Sequence, residues 1–187
     1  TREEFQALHD HALPWLKPIL TVAVLTGMRL KEVVGLRWEN VDRNGELLYV
    51  SEDCKTARPR AVPMVTSVRD ILDAIPGSRF KREGLVFLSP EGTAYTSTRE
   101  RNRISQRTKA AAKAAKLDGV TFHTLRHTAG SWMAQAGHSQ VQIAKVLGHA
   151  TTATADRYMH LTPAHLRSAV ESLESALGLK TDSRPSP

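Results

Sequence analysis

From Thr124 to Leu179 the sequence reads as helix, broken only at Gly137-His138, Gly148-His149 and Thr162-Pro163, and a run of this kind commits the chain to a mainly helical fold. Ser139, Thr151 and Thr162 stand where N-caps belong, each offering a side-chain oxygen to a free backbone N–H. Helical signals also open the chain. Thr1 and Glu4 have the spacing of a capping box, followed by Phe5 and Leu8. Pro14 fits the first turn of a second helix running to about Thr26, with Gly27 as its stop or close-packing point. Arg29 to Leu36 reads as another turn or two, with Leu30, Val33 and Val34 on one side.

One region departs from this pattern. Asn44-Gly45 is a strong turn signal, and the apolar stretch Leu47 to Val50 follows it. Arg60 to Pro63 can return as a second strand, which puts Lys55 near the tip of a β-hairpin. A third strand is expected at Leu85 to Leu88. The expected class is therefore α+β: mainly α with a small antiparallel β-sheet. A chain of 187 residues suits one compact domain. Its body is expected over residues 1–180. The tail 181–187, Thr-Asp-Ser-Arg-Pro-Ser-Pro, has nothing apolar to bury and is expected to be flexible.

The longest apolar run, Ile19 to Leu25, is interrupted by Thr21 and closed by Gly27. A membrane span needs about 20 apolar residues, so no membrane partner is expected. The single cysteine, Cys54, precludes an intrachain disulfide and a thiolate-rich zinc site. It reads as a small residue in a turn. The formal net charge of +7 favours an anionic partner, of which nucleic acid is the commonest.

That charge is concentrated. Thr98 to Lys116 reads as a long helix with a narrow stripe of Ile104, Thr108, Ala111 and Ala115. Against one acid, Glu100, it carries Arg99, Arg101, Arg103, Arg107, Lys109, Lys113 and Lys116, most of them away from the stripe. Arg99, Arg103, Arg107, Lys109 and Lys113 are the candidate phosphate contacts. A merely solvated face is the competing reading.

Phosphodiester transfer requires a nucleophile, cations shaped to phosphate oxygens, and a proton donor for the leaving oxygen. Arginine suits the clamp, because its planar fork is bidentate and permanently charged. Histidine can donate to a developing oxyanion or move a proton. Tyrosine attacks when its proton is removed or its phenolate is stabilised by cations. In His123-Thr-Leu-Arg126-His127 the His and Arg lie three apart, on one helical face. Leu147-Gly148-His149 stands nine residues before Tyr158. Each signal taken alone is common by chance.

Together they resemble the catalytic domain of the tyrosine recombinases, the phage-integrase family, in four ordered blocks. The first is Thr26-Gly27-Met28-Arg29-Leu30-Lys31-Glu32, with Leu36 and Trp38 following. The second is Lys55 in its hairpin. The third is His123 to His127, and the fourth is Leu147-Gly148-His149 with Thr154 and Tyr158-Met159-His160. Where the family usually has an acid after the first-block Trp, this sequence has Asn40 or Asp42.

The resemblance implies a site-specific DNA recombinase that cleaves and rejoins strands through a 3′-phosphotyrosine, with neither metal, ATP nor any other cofactor. It assigns Tyr158 as nucleophile, Arg29 and Arg126 as phosphate clamps, His123 as a hydrogen-bond or proton-transfer partner, and His149 as a hydrogen-bond donor to a non-bridging oxygen. Lys55 becomes the general acid for the 5′-oxygen, and Glu32 a supporting residue that orients the site. It further implies double-stranded DNA recombination sites as the partner and a homotetramer on DNA, with a monomer as the alternative for the isolated domain. A core-binding domain is expected upstream of Thr1. The expected setting is the cytoplasm of a bacterium, at the nucleoid, with the gene bacterial or phage-borne. In such enzymes a C-terminal segment often packs on a neighbouring subunit; here Ala164 to Leu179, with Leu166, Val170, Leu173 and Leu177, packs either so or on its own domain. Three rival functions remain: a non-catalytic DNA-binding module, a type IB topoisomerase-like enzyme, and a metal-dependent hydrolase. The last is disfavoured because the sequence has no HExxH or equivalent spacing.

Overall fold

The structure, a computed structural model, describes residues 1–50, 60–78, 83–148 and 163–179. Its helices are α1 (Arg2–Asp10), α2 (Lys17–Thr26), α3 (Leu30–Val34), α4 (Thr66–Asp73), α5 (Thr98–Ala114), α6 (Phe122–Gln135), α7 (Gln140–Leu147) and α8 (Pro163–Ala176). Strands β1 (Val41–Asp42), β2 (Leu47–Val50) and β3 (Arg60–Pro63) form one antiparallel sheet in that order. The class is mainly helical with a small antiparallel sheet. Lys55, Cys54, His149, Thr151, Tyr158, Thr162 and the tail from Lys180 lie outside the described residues.

α2 organises the molecule. Ile19, Leu20 and Val22 through Thr26 are all buried. A helix that is apolar on nearly every side must be covered on every side, and α3, α4, α6 and α8 pack around this one. Its start corrects the expectation from Pro14. Residues 14–16 form a turn, and Pro18, not Pro14, occupies the first helical turn. The N-terminal helix keeps its capping box, in which the Glu4 amide donates to Thr1 Oγ1 at 3.1 Å.

The sheet differs from expectation in its third strand. Leu85–Leu88 makes only isolated bridges, Arg37 with Leu85 and Leu88 with Ala94, because its backbone bonds go to loops on either side. The third strand is instead β1, which pairs Val41 with Leu48 and Asp42 with Leu47. The Asn44-Gly45 turn closes that hairpin. Asp42 Oδ1 accepts from the amides of Asn44 and Gly45 at 3.1 and 2.8 Å. On the other side, Leu48 faces Val62, both fully buried.

α5 buries Ile104, Thr108, Ala111 and Ala112, close to the predicted stripe, and is capped by Ser97. α6 begins at Phe122 with Thr121 as its cap, two residues before the expected start. α7 is bounded by the Ser139–Gln142 capping box and by Gly148 in the left-handed region. Among the described residues no helix is long and apolar enough to cross a membrane.

α8 packs on its own domain, against β3, α6, α7 and α2. Leu166, Ala169, Val170, Leu173 and Leu177 are buried there. The buried carboxylate of Glu174 accepts from the Ser67 amide at 2.7 Å, which satisfies a free donor in the first turn of α4. Leu173→Ala is expected to destabilise the chain by about 2–5 kcal/mol, through lost burial and the cavity left behind. Thermal or denaturant unfolding measures this. An unchanged midpoint would mean that α8 is not seated on its own domain in solution.

Candidate active site

The TGMR segment is shaped by the end of α2. Thr26 Oγ1 donates to the Val22 carbonyl at 2.6 Å and accepts from the Met28 amide at 3.3 Å. Gly27 caps the helix at φ +62°, and a Cβ there would press on Leu147 Cδ2. The positive φ favours glycine, and any side chain here would also force Leu147 to shift. The chain leaves this turn extended at Arg29 and enters α3 at Leu30.

Glu32, in the first turn of α3, is the hub of the site. Its side chain is 4% exposed, and among the described residues its two oxygens accept hydrogen bonds from Arg29 and Arg60. Two come from Arg29, through its amide at 2.7 Å and Nη1 at 3.1 Å. Two come from Arg60 on β3, whose Nη1 and Nη2 reach Oε1 and Oε2 at 3.0 and 2.9 Å. Burial alone would raise the pKa of this carboxyl. The hydrogen bonds and charge of Arg60, followed by the amide and charge of Arg29, outweigh it and hold the pKa below the usual carboxylate value.

Arg126, on α6, comes to the same place from the other side. It is 4% exposed, and Nη1 donates to the Gly27 carbonyl at 2.7 Å. Nη2 is buried and makes no hydrogen bond to the described residues. Burial first, then the charge of Arg29, pushes this guanidinium down to about 10. Arg29 and Arg60 thus bond to Glu32, and Arg126 lies near enough to feel the charges of both Arg29 and Glu32, so among the described residues the cluster carries more positive than negative charge.

His123 lies one turn before Arg126 on α6 and is exposed. Partial desolvation, then His127, Arg126 and Arg29, lower its pKa below the histidine norm, so the neutral imidazole dominates at neutral pH. Its ring meets that of His127 edge-on, with centroids 4.6 Å apart.

The structure therefore brings together Arg29, Glu32, His123 and Arg126 of the predicted set. Lys55, His149 and Tyr158 lie outside the described residues. Sequence reasoning misses Arg60, which it reads only as the start of a strand; a permanently charged residue entering an apolar strand is the signal. On α5, Arg99, Arg107, Lys109 and Lys113 are exposed, whereas Arg103 pairs with Glu91 at 3.5 Å and Glu100 at 3.8 Å.

Among the described residues no group of three or more His, Cys, Asp or Glu could hold a metal ion. A small cavity of about 160 Å³ beside α3 includes Glu32 in its lining but not Arg29, His123 or Arg126. The guanidinium cluster thus lies outside that pocket. Chemically, the cluster suits an anion held by rigid bidentate donors.

Comparisons with known proteins converge on one group. The model described as "Phage integrase family" matches residues 1–165. An integrase of Salmonella phage P22 is 27% identical over 94% of this chain and 46% of its own length. A tyrosine recombinase XerC of Corynebacterium efficiens is 30% identical over 81% of this chain and 48% of its own. The crystal structure of XerA recombinase aligns with a TM-score of 0.66 at 26% identity, covering 90% of this chain and 60% of that one. The chain spans about half the length of these curated relatives.

Proposed function

The chain belongs to the phage integrase family, and on that premise we propose that it is the strand-exchange unit of a site-specific DNA recombinase. The observation that carries this reading is the cluster of Arg29, Arg60 and Arg126 around Glu32, with a buried Arg126 nitrogen that no described residue satisfies. Arg29 and Arg126 hold the non-bridging oxygens of the scissile phosphate. Their charges matter most in the pentavalent transition state, where losing one such contact costs about 3 kcal/mol. Tyr158 attacks phosphorus, forming a 3′-phosphotyrosine as the bond to the 5′-oxygen breaks, and Lys55 gives that leaving oxygen the proton that makes it a 5′-hydroxyl. His123 assists by hydrogen bonding or by taking the tyrosine proton, and His149 donates to a non-bridging oxygen. Glu32 touches no substrate; it holds Arg29 in place.

The cations supply charge stabilisation of the kind that metal ions supply in many nucleases, so the reaction is expected to run in a chelator. The phosphotyrosine conserves the energy of the broken phosphodiester. A second 5′-hydroxyl can attack it and reseal the strand without ATP. Strand exchange results when that hydroxyl belongs to another duplex, in a homotetramer assembled on recombination sites at the bacterial nucleoid.

Covalent trapping tests this. The chain is incubated in EDTA with short nicked duplexes tiled across the DNA flanking its own gene, quenched in detergent, and the adduct peptide is mapped. A DNA-linked peptide containing Tyr158 is the expected result. Activity that appears only when a divalent ion is restored would favour the hydrolase reading, and binding without an adduct would favour a DNA-binding module. Relaxation of supercoils without a paired site would favour the topoisomerase reading.

The basic face of α5 is assigned to sequence-independent phosphate contacts. Replacing Arg107, Lys109 and Lys113 by Gln is expected to reduce the slope of log affinity against log salt by about two to three, roughly one per lost phosphate contact. A titration series in salt measures this. An unchanged slope would show that α5 faces solvent.

A further inference from the structure

Arg60 carries more than a strand. Its side chain is 6% exposed and every guanidinium nitrogen is engaged: Nη1 and Nη2 on Glu32, and Nε on the Val146 carbonyl at 2.9 Å. Val146 sits in the last turn of α7, where carbonyls lack intrahelical partners and a cation is favoured. Gly148 caps that helix at φ +71°, and a Cβ there would lie 2.7 Å from Arg60 Nη1. The turn by which the chain leaves α7 is thus laid against the guanidinium. On its other flank the same helix end is seated by Leu147 on Gly27, whose carbonyl holds Arg126.

Stability alone does not call for this arrangement. A buried ion pair repays its desolvation only in part, and well-packed apolar residues often do as well. A fixed geometric link is the stronger reason for a planar, three-way donor. Lysine cannot reach two carboxylate oxygens and a carbonyl at once with fixed geometry.

We propose that Arg60 is a positioning residue for strand cleavage: it fixes the C-terminal end of α7 relative to the carboxylate that holds Arg29. The direction in which the chain departs at Gly148, one residue before His149, is then set against the phosphate clamp. This rests on the strand-exchange reading and adds to it a residue that touches no substrate.

The test compares the parent chain with Arg60→Lys on the nicked duplex that gives the adduct. Three quantities are read: the single-turnover cleavage rate at saturating DNA, the affinity for the duplex, and the unfolding temperature. Arg60→Lys is expected to bind within about twofold of the parent, yet to cleave at least about tenfold more slowly at saturation. Cleavage within twofold of the parent would overturn the proposal. So would a cleavage defect that only tracks a loss of folded, DNA-binding protein. If Arg60→Lys does not fold, the comparison passes to Glu32→Gln against the double variant Glu32→Gln/Arg60→Gln, which leaves no buried charge unpaired within the pair. The double variant is expected to be at least about fivefold slower than the single, because only the single retains the bond to Val146; equal rates would sink the idea. A parent chain that forms no adduct on any duplex would instead bring down the strand-exchange reading itself, and this role with it.

Discussion

Tyr158→Phe is expected to bind duplex DNA within about twofold of the parent chain while forming no covalent adduct at all. The change removes one oxygen and leaves the ring, so binding is expected to be conserved. The chemistry is not. Without the phenolic oxygen there is no atom to attack phosphorus, and loss of a nucleophile typically costs on the order of 10⁶ in rate. The measurement is a detergent-quenched gel of both proteins on one nicked duplex, beside a binding titration. Loss of binding together with the adduct would point to a structural fault. Persistence of the adduct would remove Tyr158 from the role of nucleophile, and mapping the linked peptide would name its replacement.

The second large effect is expected at Arg126. Arg126→Leu should slow cleavage by about 10² to 10³, because the contact it loses is strongest when charge builds on the phosphate oxygens. Affinity for DNA should change only a few-fold, since ground-state binding is shared among many phosphate contacts. Stability should fall by no more than about 1–2 kcal/mol. The variant gives up the hydrogen bond to the Gly27 carbonyl, but it also removes a buried donor without a described partner and the repulsion from Arg29. Single-turnover cleavage and chemical unfolding on the same preparation separate the two. A rate loss matched by a comparable collapse in stability would make Arg126 a structural residue. An unchanged rate would remove it from the phosphate clamp.

Arg126 also illustrates how far the sequence could be read. Its partnership with His123 comes from spacing on one helix, and both side chains are found on α6. That Arg126 should lie beside Arg29, 97 positions away, is not a property of either local stretch. It depends on α6 packing across α2, which brings the guanidinium to the Gly27 carbonyl. Arg60 shows the same limit more sharply. Its local setting predicts a strand residue, and the strand is there. Its bonds to Glu32 and Val146 span 28 and 86 residues, and no periodicity encodes them.

The misplaced elements have local causes of the same kind. Leu85–Leu88 has the composition of a strand, but its extended partner at Leu36–Arg37 ends where a 3-10 turn begins at Trp38, so it forms only bridges. β1 has just two residues and little strand character of its own; the Asp42–Gly45 turn imposes its pairing. Pro14 and Pro18 both suit a helix start, and the packing of α2 selects the second.

The sequence by itself determined the helical class, the caps at Thr1 and Ser139, the stop at Gly27 and the identity of the family, because these depend on near neighbours and on residues at set intervals. Only the tertiary structure decided that α8 covers its own domain, that Glu32 is shared by two arginines, and that Arg60 ties β3 to the end of α7. Those outcomes are set by which buried surfaces and charges meet across long stretches of chain, and such meetings are decided by the packed whole.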